Sequence, residues 1–274
     1  AKKVHDIADY NLKAAKASGS STTWVLSNHD IIRHATRFGL PNGTDFGQWY
    51  AKNRFNAKVD EKLGLDRARA MTMLLLALPG STYLYQGEEL GLPEAWQLEG
   101  KYRQDPTYAR TKGERIGRDG CRVPLPWEAG VGEANGFNTT GKSWLPQPAN
   151  YRVFSRNLQE GIAGSTLELY KRLLKVRKAE GLGSGAMRWA SEYQDDHTLA
   201  YINNGVLVIA NFGGDAYALP QGELWLLHTA QTSGHQDTSV VRRRISHDNG
   251  LTWAYMTGGY PNSSQAGRVS LGVT

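Results

Sequence analysis

Three side chains that could bind a polyhydroxylated ligand lie close together near the start of the chain. His29 and Asp30 directly follow Asn28, and Arg33 comes three residues after Asp30. A carboxylate can accept hydrogen bonds from two adjacent sugar hydroxyls, an imidazole can donate one, and a guanidinium can fix the carboxylate or bind another hydroxyl. Taken alone, the tripeptide Asn28-His29-Asp30 is more typical of a loop with an Asx turn and a capping aspartate. Whether it binds a ligand therefore depends on its context.

The elements around these residues predict an α/β fold. Residues 22–27 are short and rich in β-branched and aromatic residues, which predicts a buried strand, and residues 82–85 predict a second short strand. Polar residues follow each of them. Between them, helical spacing of apolar residues predicts a helix with Asp66 as its N-cap and Pro79 at its end. Strand, helix and strand in this order are typical of a parallel sheet, in which functional residues collect at the C-terminal ends of the strands.

The rest of the chain divides into helical, irregular and strand-like parts. Residues 2–17 and 165–177 have the apolar spacing of amphipathic helices, and residues 92–164 predict a long functional loop rich in Gly, Pro and Trp. From about residue 186 the pattern changes to short apolar runs joined by Gly- and Asn-containing turns. This change predicts a small antiparallel β-sandwich domain whose strands include residues 199–201, 206–210 and 224–227.

Composition argues against several classes of protein. The formal charge is +6, but Lys and Arg are spread along the chain and form a tight run only at residues 242–244, so we expect no nucleic-acid partner. The longest apolar run, residues 71–79, is far shorter than a membrane helix requires, so we expect no membrane partner. The single cysteine, Cys121, excludes an internal disulfide. It favours a reducing compartment, and so a cytoplasmic protein, over the alternative of a secreted protein that never used disulfides. We also expect no metal and no cofactor.

Four segments, in a fixed order, resemble motifs of the α-amylase superfamily. Residues 24–34 resemble the fourth sequence motif in the form found in the α-glucosidases of this superfamily, and residues 77–91 resemble the eighth barrel strand. Residues 117–127 resemble the loop beyond that strand, and residues 144–148 resemble the stretch leading to the last barrel helix. Because the matches follow family order across roughly residues 1–228, the chain is identified as a member of this superfamily.

The resemblance implies a retaining glycosidase that removes terminal α-linked glucose from oligosaccharides of the maltose, sucrose or isomaltose type. Such enzymes use an Asp nucleophile and a Glu acid/base, while a third carboxylate binds sugar hydroxyls and favours an oxocarbenium-like transition state. By position, Asp30 is that third carboxylate and the one catalytic residue in this chain. His29 and Arg33 then match the residues that bind the substrate beside it.

The chain departs from a complete enzyme of this kind. The family's nucleophile motif, Gly-x-Arg-x-Asp, does not occur before Asn28, and only 27 residues precede that position. With no initiator Met at Ala1, we expect a fragment that holds the C-terminal part of a (β/α)8 barrel and is inactive alone. The predicted domains are residues 1–185 for this barrel part, 186–240 for the β domain and 241–274 for an unassigned tail.

Other candidate residues have simpler explanations. Glu88 and Glu89 are adjacent on a predicted strand and would point to opposite faces, so we expect a structural or rim role for them. The tryptophans Trp49, Trp96, Trp127 and Trp144 could stack on sugars, but core packing is the default expectation. Residues 246–253 have the form of an Asp-box, a structural hairpin of sialidase propellers, and one copy cannot make a propeller.

Alternative functions stay open at this stage. Glucosyl transfer or isomerisation of sucrose or maltose uses the same residues as hydrolysis, and product analysis separates them. A noncatalytic role is also possible, either as a carbohydrate-binding module or as the sugar-enzyme-like ectodomain of an amino-acid transporter. A transporter ectodomain would carry a membrane helix, and a sialidase-like module would need a second Asp-box.

Overall fold

The computed structural model describes residues 1–45 and 58–213 and, beyond them, three short strands. The helices are α1 (Lys2–Ala17), α2 (His34–Arg37), α3 (Glu61–Ala77), α4 (Pro106–Arg110) and α5 (Thr166–Ala179). The strands are β1 (Thr23–Val25), β2 (Ser81–Tyr83), β3 (Met187–Trp189), β4 (Thr198–Asn203), β5 (Val206–Asn211), β6 (Leu226–His228), β7 (Arg244–Ile245) and β8 (Ala254–Tyr255). The predicted Asp-box and Trp49 lie outside the described residues.

The chain forms two compact units, each built from separate stretches of sequence. The first unit consists of Ala1–Trp24, Ala70–Thr82 and Leu173–Thr274, and the second of Val25–Arg69 and Tyr83–Arg172. The predicted division at residues 185 and 240 follows the sequence order instead, and it stays a prediction.

Strands β1 and β2 pair in a two-stranded sheet, as the strand–helix–strand pattern predicts. Trp24 is buried and donates its indole N–H to the Pro79 carbonyl at 2.7 Å, whereas Thr23 and Val25 are exposed. The prediction of a buried strand is therefore wrong for the face that carries Thr23 and Val25. Helices cover both faces of the sheet in parallel α/β folds, whereas only one face of β1 is buried here.

Helix α3 begins earlier than the sequence predicts. It starts at Glu61, and Asp60 caps it by accepting a hydrogen bond from the Leu63 backbone N–H at 2.9 Å. Asp66, the predicted N-cap, lies inside the helix, where its carboxylate pairs with Lys62 one turn earlier. Both aspartates are followed by helix-forming residues, so a cap signal alone does not select between them.

The C-terminal strands form a sheet with the order β3-β4-β5-β6. Strands β3, β4 and β5 are antiparallel, as predicted, and Asn204 and Gly205 both have positive φ in the tight turn between β4 and β5. Strand β6 pairs parallel to β5, so the expectation of a purely antiparallel sheet is wrong at this pair. Residues 212–225 separate these two strands, which meets the dozen or more residues that a parallel connection requires.

Strand β4 anchors its sheet inside the first unit. The hydroxyl of Tyr201 donates to the Leu74 carbonyl at 2.8 Å, and the amide of Asn203 donates to the Ala77 and Leu182 carbonyls. These side chains are fully buried, and their donors are paired with main-chain oxygens as burial requires.

The long segment 92–164 contains short helical turns and little regular structure, as predicted. Its core in the second unit includes Leu92, Val123, Leu145 and Tyr151, and the Tyr151 hydroxyl donates to the Pro93 carbonyl at 2.9 Å. Burial of these side chains holds the loop on the unit, so the segment can carry functional residues at fixed positions. Among the described residues, no helix is long and apolar enough to cross a membrane.

Candidate functional site

The loop that follows β1 is closed by hydrogen bonds of its own residues. The side chain of Asn28 accepts the Asp30 backbone N–H at 2.8 Å, so the Asx turn considered above is present. Arg37 of α2 donates to the Leu26 carbonyl at 2.6 Å and to the Ile32 carbonyl at 3.2 Å. The Asp30 side chain does not cap this turn and is free to make contacts elsewhere.

Two arginines from the loop beyond β2 hold the carboxylate of Asp30. Its Oδ1 accepts from Arg118 Nη1 at 2.8 Å and from Arg122 Nη2 at 3.0 Å. Its Oδ2 lies 3.5 Å from His29 Nε2, and Arg122 Nε also donates to the His29 carbonyl at 2.8 Å. The Asp30 side chain is 48% exposed, so a ligand can reach the carboxylate.

These contacts keep Asp30 ionised. Partial desolvation alone would raise its pKa, but the hydrogen bond from Arg118, the nearby His29 and the contact from Arg122 hold that pKa below its usual range. A charged, solvent-accessible carboxylate beside an imidazole can accept hydrogen bonds from sugar hydroxyls, as the sequence predicts for Asp30 and His29.

A short turn aims both arginines at Asp30. Arg118 and Arg122 flank a single 3₁₀ turn, Asp119–Cys121, as its N-cap and C-cap. A Cβ on Gly120 would lie 2.4 Å from the buried carboxylate of Glu94, so glycine is required for the turn to pack closely. Residues 117–127 are predicted to be a family loop, but these two arginines are not among the predicted site residues. Their contacts with Asp30 span 88 and 92 residues, so no local sequence signal points to them.

Arg33 lies beneath the site, not at its surface. Only 2% of the residue is exposed, and its guanidinium donates to the Gln86 and Cys121 carbonyls, both at 2.8 Å. It also stacks over the Tyr85 ring at 5.1 Å, while its backbone N–H donates to Glu94 at 3.0 Å. Arg33 therefore joins the loops after β1 and β2 to the turn that carries the two arginines. Its predicted contact with substrate stays a prediction, and its burial favours a supporting role instead.

A second buried polar cluster centres on Glu88. Its carboxylate lies 3.8 Å from His34 Nδ1 and accepts from the Tyr170 hydroxyl at 3.4 Å. Ser27 Oγ accepts the His34 backbone N–H and is hydrogen-bonded to His34 Nδ1 at 2.9 Å, a bond whose donor depends on the imidazole tautomer. Burial raises the pKa of Glu88 to about 7 and lowers the pKa of His34 to about 3. At neutral pH His34 is therefore uncharged.

Glu88 and Glu89 lie in a turn after β2 and not on the strand itself. Glu88 points into the core, whereas the Glu89 carboxylate accepts the Gly87 backbone N–H at 2.8 Å. A small cavity beside Glu88 is lined by Arg33, His34, Ala35, Leu65, Ala68, Arg69, Glu88, Gly91, Leu92, Thr166 and Tyr170. Of the predicted site residues, Arg33 lines this cavity, whereas Asp30 and His29 do not.

The tryptophans differ in their surroundings. Trp96 packs beside a small core cluster of Ile32 and Leu40, as expected for a core residue. Trp127 and Trp144 are 43% and 57% exposed, so the expectation of full packing is wrong for these two. In the described part of the chain, no three His, Cys, Asp or Glu side chains are grouped so that they could hold a metal ion.

The chain belongs to the α-amylase family of glycoside hydrolases. The family profile described as the catalytic domain of alpha amylase matches residues 2–185, which is most of the chain. This match confirms the family predicted from the four sequence motifs. Solved relatives support the barrel-type α/β fold of that family.

Named relatives include α-glucosidases. A probable alpha-glucosidase of Rhizobium meliloti is 33% identical over 156 residues, which are 57% of this chain and 24% of the relative. A salivary alpha-glucosidase of Aedes aegypti is 26% identical over 219 residues, 77% of this chain and 33% of the relative. The crystal structure of an alpha-glucosyl transfer enzyme, at 27% identity and a TM-score of 0.55, covers 92% of this chain and 41% of that one. The chain thus spans well under half the length of these relatives.

Proposed function

We propose that this chain supplies the sugar-binding carboxylate of a retaining α-glucosidase and corresponds to the C-terminal part of its barrel. The observation that carries the proposal is the Asp30 carboxylate, which is ionised, exposed and fixed by Arg118 and Arg122 at the end of the β1 loop. The substrates are oligosaccharides with a terminal α-linked glucose, such as maltose, sucrose or isomaltose. A cytoplasmic location stays a prediction that rests on the single cysteine.

Asp30 has two oxygens with different tasks in this arrangement. Oδ1 is occupied by the two guanidinium groups, whereas Oδ2 faces His29 and accepts from the sugar. The negative charge of the Asp30 carboxylate stabilises the positive charge that develops on the glucose ring as the glycosidic bond breaks. His29, also at the surface, binds a hydroxyl of the same ring. Arg33 supports the loops from below instead of contacting the sugar.

The nucleophile and the acid/base that the family mechanism requires are proposed to come from residues outside this chain. The chain alone is then inactive, because no covalent glycosyl intermediate forms without a nucleophile. Glucosyl transfer is the second candidate, and its support is the solved glucosyl transfer enzyme among the relatives. Transfer differs from hydrolysis only in the acceptor, so product analysis with a sugar acceptor decides between them.

Asp30→Asn tests the role of the carboxylate. The substitution is made in the chain extended by the reading frame that precedes Ala1, and hydrolysis of an aryl α-glucoside is measured. Because the amide keeps the size but lacks the charge, we expect kcat to fall by about 10²–10³-fold and KM to change far less. Asp6→Asn, which alters an exposed aspartate of α1, is the matched control and should leave both values unchanged. Full activity in Asp30→Asn would show that another residue carries this role.

A further inference from the structure

Arg118 is held between two carboxylates. Its Nη1 donates to Asp30 at 2.8 Å, and its Nε donates to Asp105 Oδ2 at 2.5 Å. Asp30 is exposed, but the Asp105 side chain is buried, so the two ends of this bridge have different surroundings. Hydrogen bonds between charged groups are stronger than those between neutral groups. Because Asp105 is the buried partner, it is the one that can fix the position of the Arg118 guanidinium.

Asp105 is itself held in place from several directions. Its backbone N–H donates to both carboxylate oxygens of Asp119, at 3.1 and 3.0 Å. Its Oδ1 caps helix α4 by accepting the Thr107 N–H at 2.9 Å, and its Oδ2 also accepts the Arg118 backbone N–H at 3.0 Å. Burial alone would raise the pKa of Asp105, but these bonds from Arg118 and Thr107 bring that pKa far below its usual range.

The backbone beside Arg118 is shaped to meet Asp105. Gly117 has a φ of +68°, and a Cβ built there would lie 2.7 Å from the Asp105 Cβ and 2.9 Å from its Cγ. A side chain at this position would therefore displace the Asp105 carboxylate or the loop. Only glycine permits both the left-handed conformation and this close approach.

We propose that Asp105 is a positioning residue, which fixes Arg118 so that its Nη1 meets Oδ1 of Asp30 and leaves Oδ2 free for the sugar. Asp105 does not touch the substrate; it acts through Arg118. The inference deepens the proposed function, because it assigns a purpose to the Arg118–Asp30 contact in the same site.

The pKa of Asp30 tests this inference without any need for enzymatic activity. Carboxyl ¹³C NMR titration of the 274-residue chain gives that pKa, with the signal assigned by its loss in Asp30→Asn. Asp105→Asn removes the charge that holds Arg118 but keeps a good N-cap for α4. With Arg118 released, we expect the Asp30 pKa to rise by about 0.5–1 unit. Groups facing Asp30 in this titration are His29, Arg118 and Arg122.

Two comparisons separate positioning from general loosening of the structure. Gly117→Ala should raise the Asp30 pKa in the same direction, whereas Gly113→Ala should not. Gly113 also has positive φ, but a Cβ there would meet the Tyr108 ring at an ordinary 3.4 Å and would not meet Asp105. In an Arg118→Gln background, adding Asp105→Asn should change the pKa no further.

An unchanged Asp30 pKa in folded Asp105→Asn, or an additive effect in the double variant, would overturn the inference. Failure of the proposed function would appear differently, as absent turnover in the extended chain while the pKa shifts persist. In an active extended chain, Asp105→Asn should lower kcat about 10-fold with little change in KM. The same loss in Gly113→Ala would count against a positioning role.

Discussion

Glu88 is a carboxyl group whose charge state changes near neutral pH. Its pKa of about 7 in the folded chain lies above the value of about 4.3 expected when unfolded, so the folded state binds the proton more tightly. The stability that this proton provides is fully present below pH ~4.3 and is lost as the pH rises through about 7. The pKa of His34 is lowered to about 3, so this residue has the opposite effect. The stability that its neutral imidazole gives to the fold is fully present above pH ~6.5 and is lost as the pH falls below that value.

Glu88→Gln should therefore change how stability depends on pH. The amide cannot ionise, so the variant gains stability relative to the parent chain by on the order of 1–3 kcal/mol between pH 4.5 and pH 8. Urea unfolding at both pH values measures this gain, and the His34 contribution cancels because both chains contain it. Glu114→Gln, at an exposed position, is the control. If the free energy of unfolding changed equally with pH in the parent chain and in Glu88→Gln, Glu88 would not titrate in this range.

Arg33→Met tests whether Arg33 has a supporting role. The substitution leaves the Gln86 and Cys121 carbonyls without their donor and Glu94 without its buried positive neighbour. We expect the free energy of unfolding to fall by roughly 3 kcal/mol, whereas Arg115→Met at an exposed position should change it little. A change in Arg33→Met as small as in the control would mean that the guanidinium is not structural and is available to a substrate.

At the scale of the elements, one arginine of α5 completes the C-terminal end of α3. The Arg177 guanidinium donates to the Leu76 carbonyl at 2.5 Å, to the Leu78 carbonyl at 2.7 Å and also to the Gly80 carbonyl. The last carbonyls of a helix have no partner within it, so this side chain serves as a cap from outside.

Arg177→Gln should loosen the end of α3. The amide cannot reach all of these oxygens, and we expect a loss of roughly 2 kcal/mol in the free energy of unfolding. Lys178→Gln removes the same charge from the same last turn of α5 but at an exposed position, so it should cost less than ~0.5 kcal/mol. Equal losses in the two variants would mean that charge, and not the three hydrogen bonds, sets the effect.

Elements with a strong local signal could be predicted from the sequence. Helix α1 has the predicted bounds, and β4 and β5 follow from apolar runs joined by Asn204 and Gly205, which adopt the positive φ of a tight turn. The start of α3 could not be predicted, because two aspartates six residues apart both resemble caps. The parallel pairing of β6 depends on a connection whose course no local pattern specifies.

The candidate site was predictable only in part, for a similar reason. Asp30 and His29 lie in the loop after β1, and they belong to a sequence motif that resembles one of the family. Arg118 and Arg122 reach Asp30 across about ninety residues of chain, and no periodicity in the sequence predicts that contact. The burial of Arg33 likewise depends on carbonyls from two distant loops.

At the scale of the whole molecule, we propose that the chain supplies one part of a larger catalytic arrangement. It spans 24% to 41% of the relatives compared above, and the family match ends at residue 185. The two-stranded sheet of β1 and β2 presents edges that neighbouring strands would pair in a closed barrel. We therefore expect the upstream sequence both to cover these edges and to provide the missing catalytic carboxylates.

Hydrolysis of an aryl α-glucoside by the 274-residue chain, with and without the sequence encoded upstream of Ala1, tests this central claim most directly. We expect no turnover above the uncatalysed rate for the chain alone, even when it is folded, and measurable turnover for the extended chain. Turnover by the chain alone, abolished by Asp30→Asn, would contradict the account, because it would mean that the carboxylates present here are sufficient for catalysis.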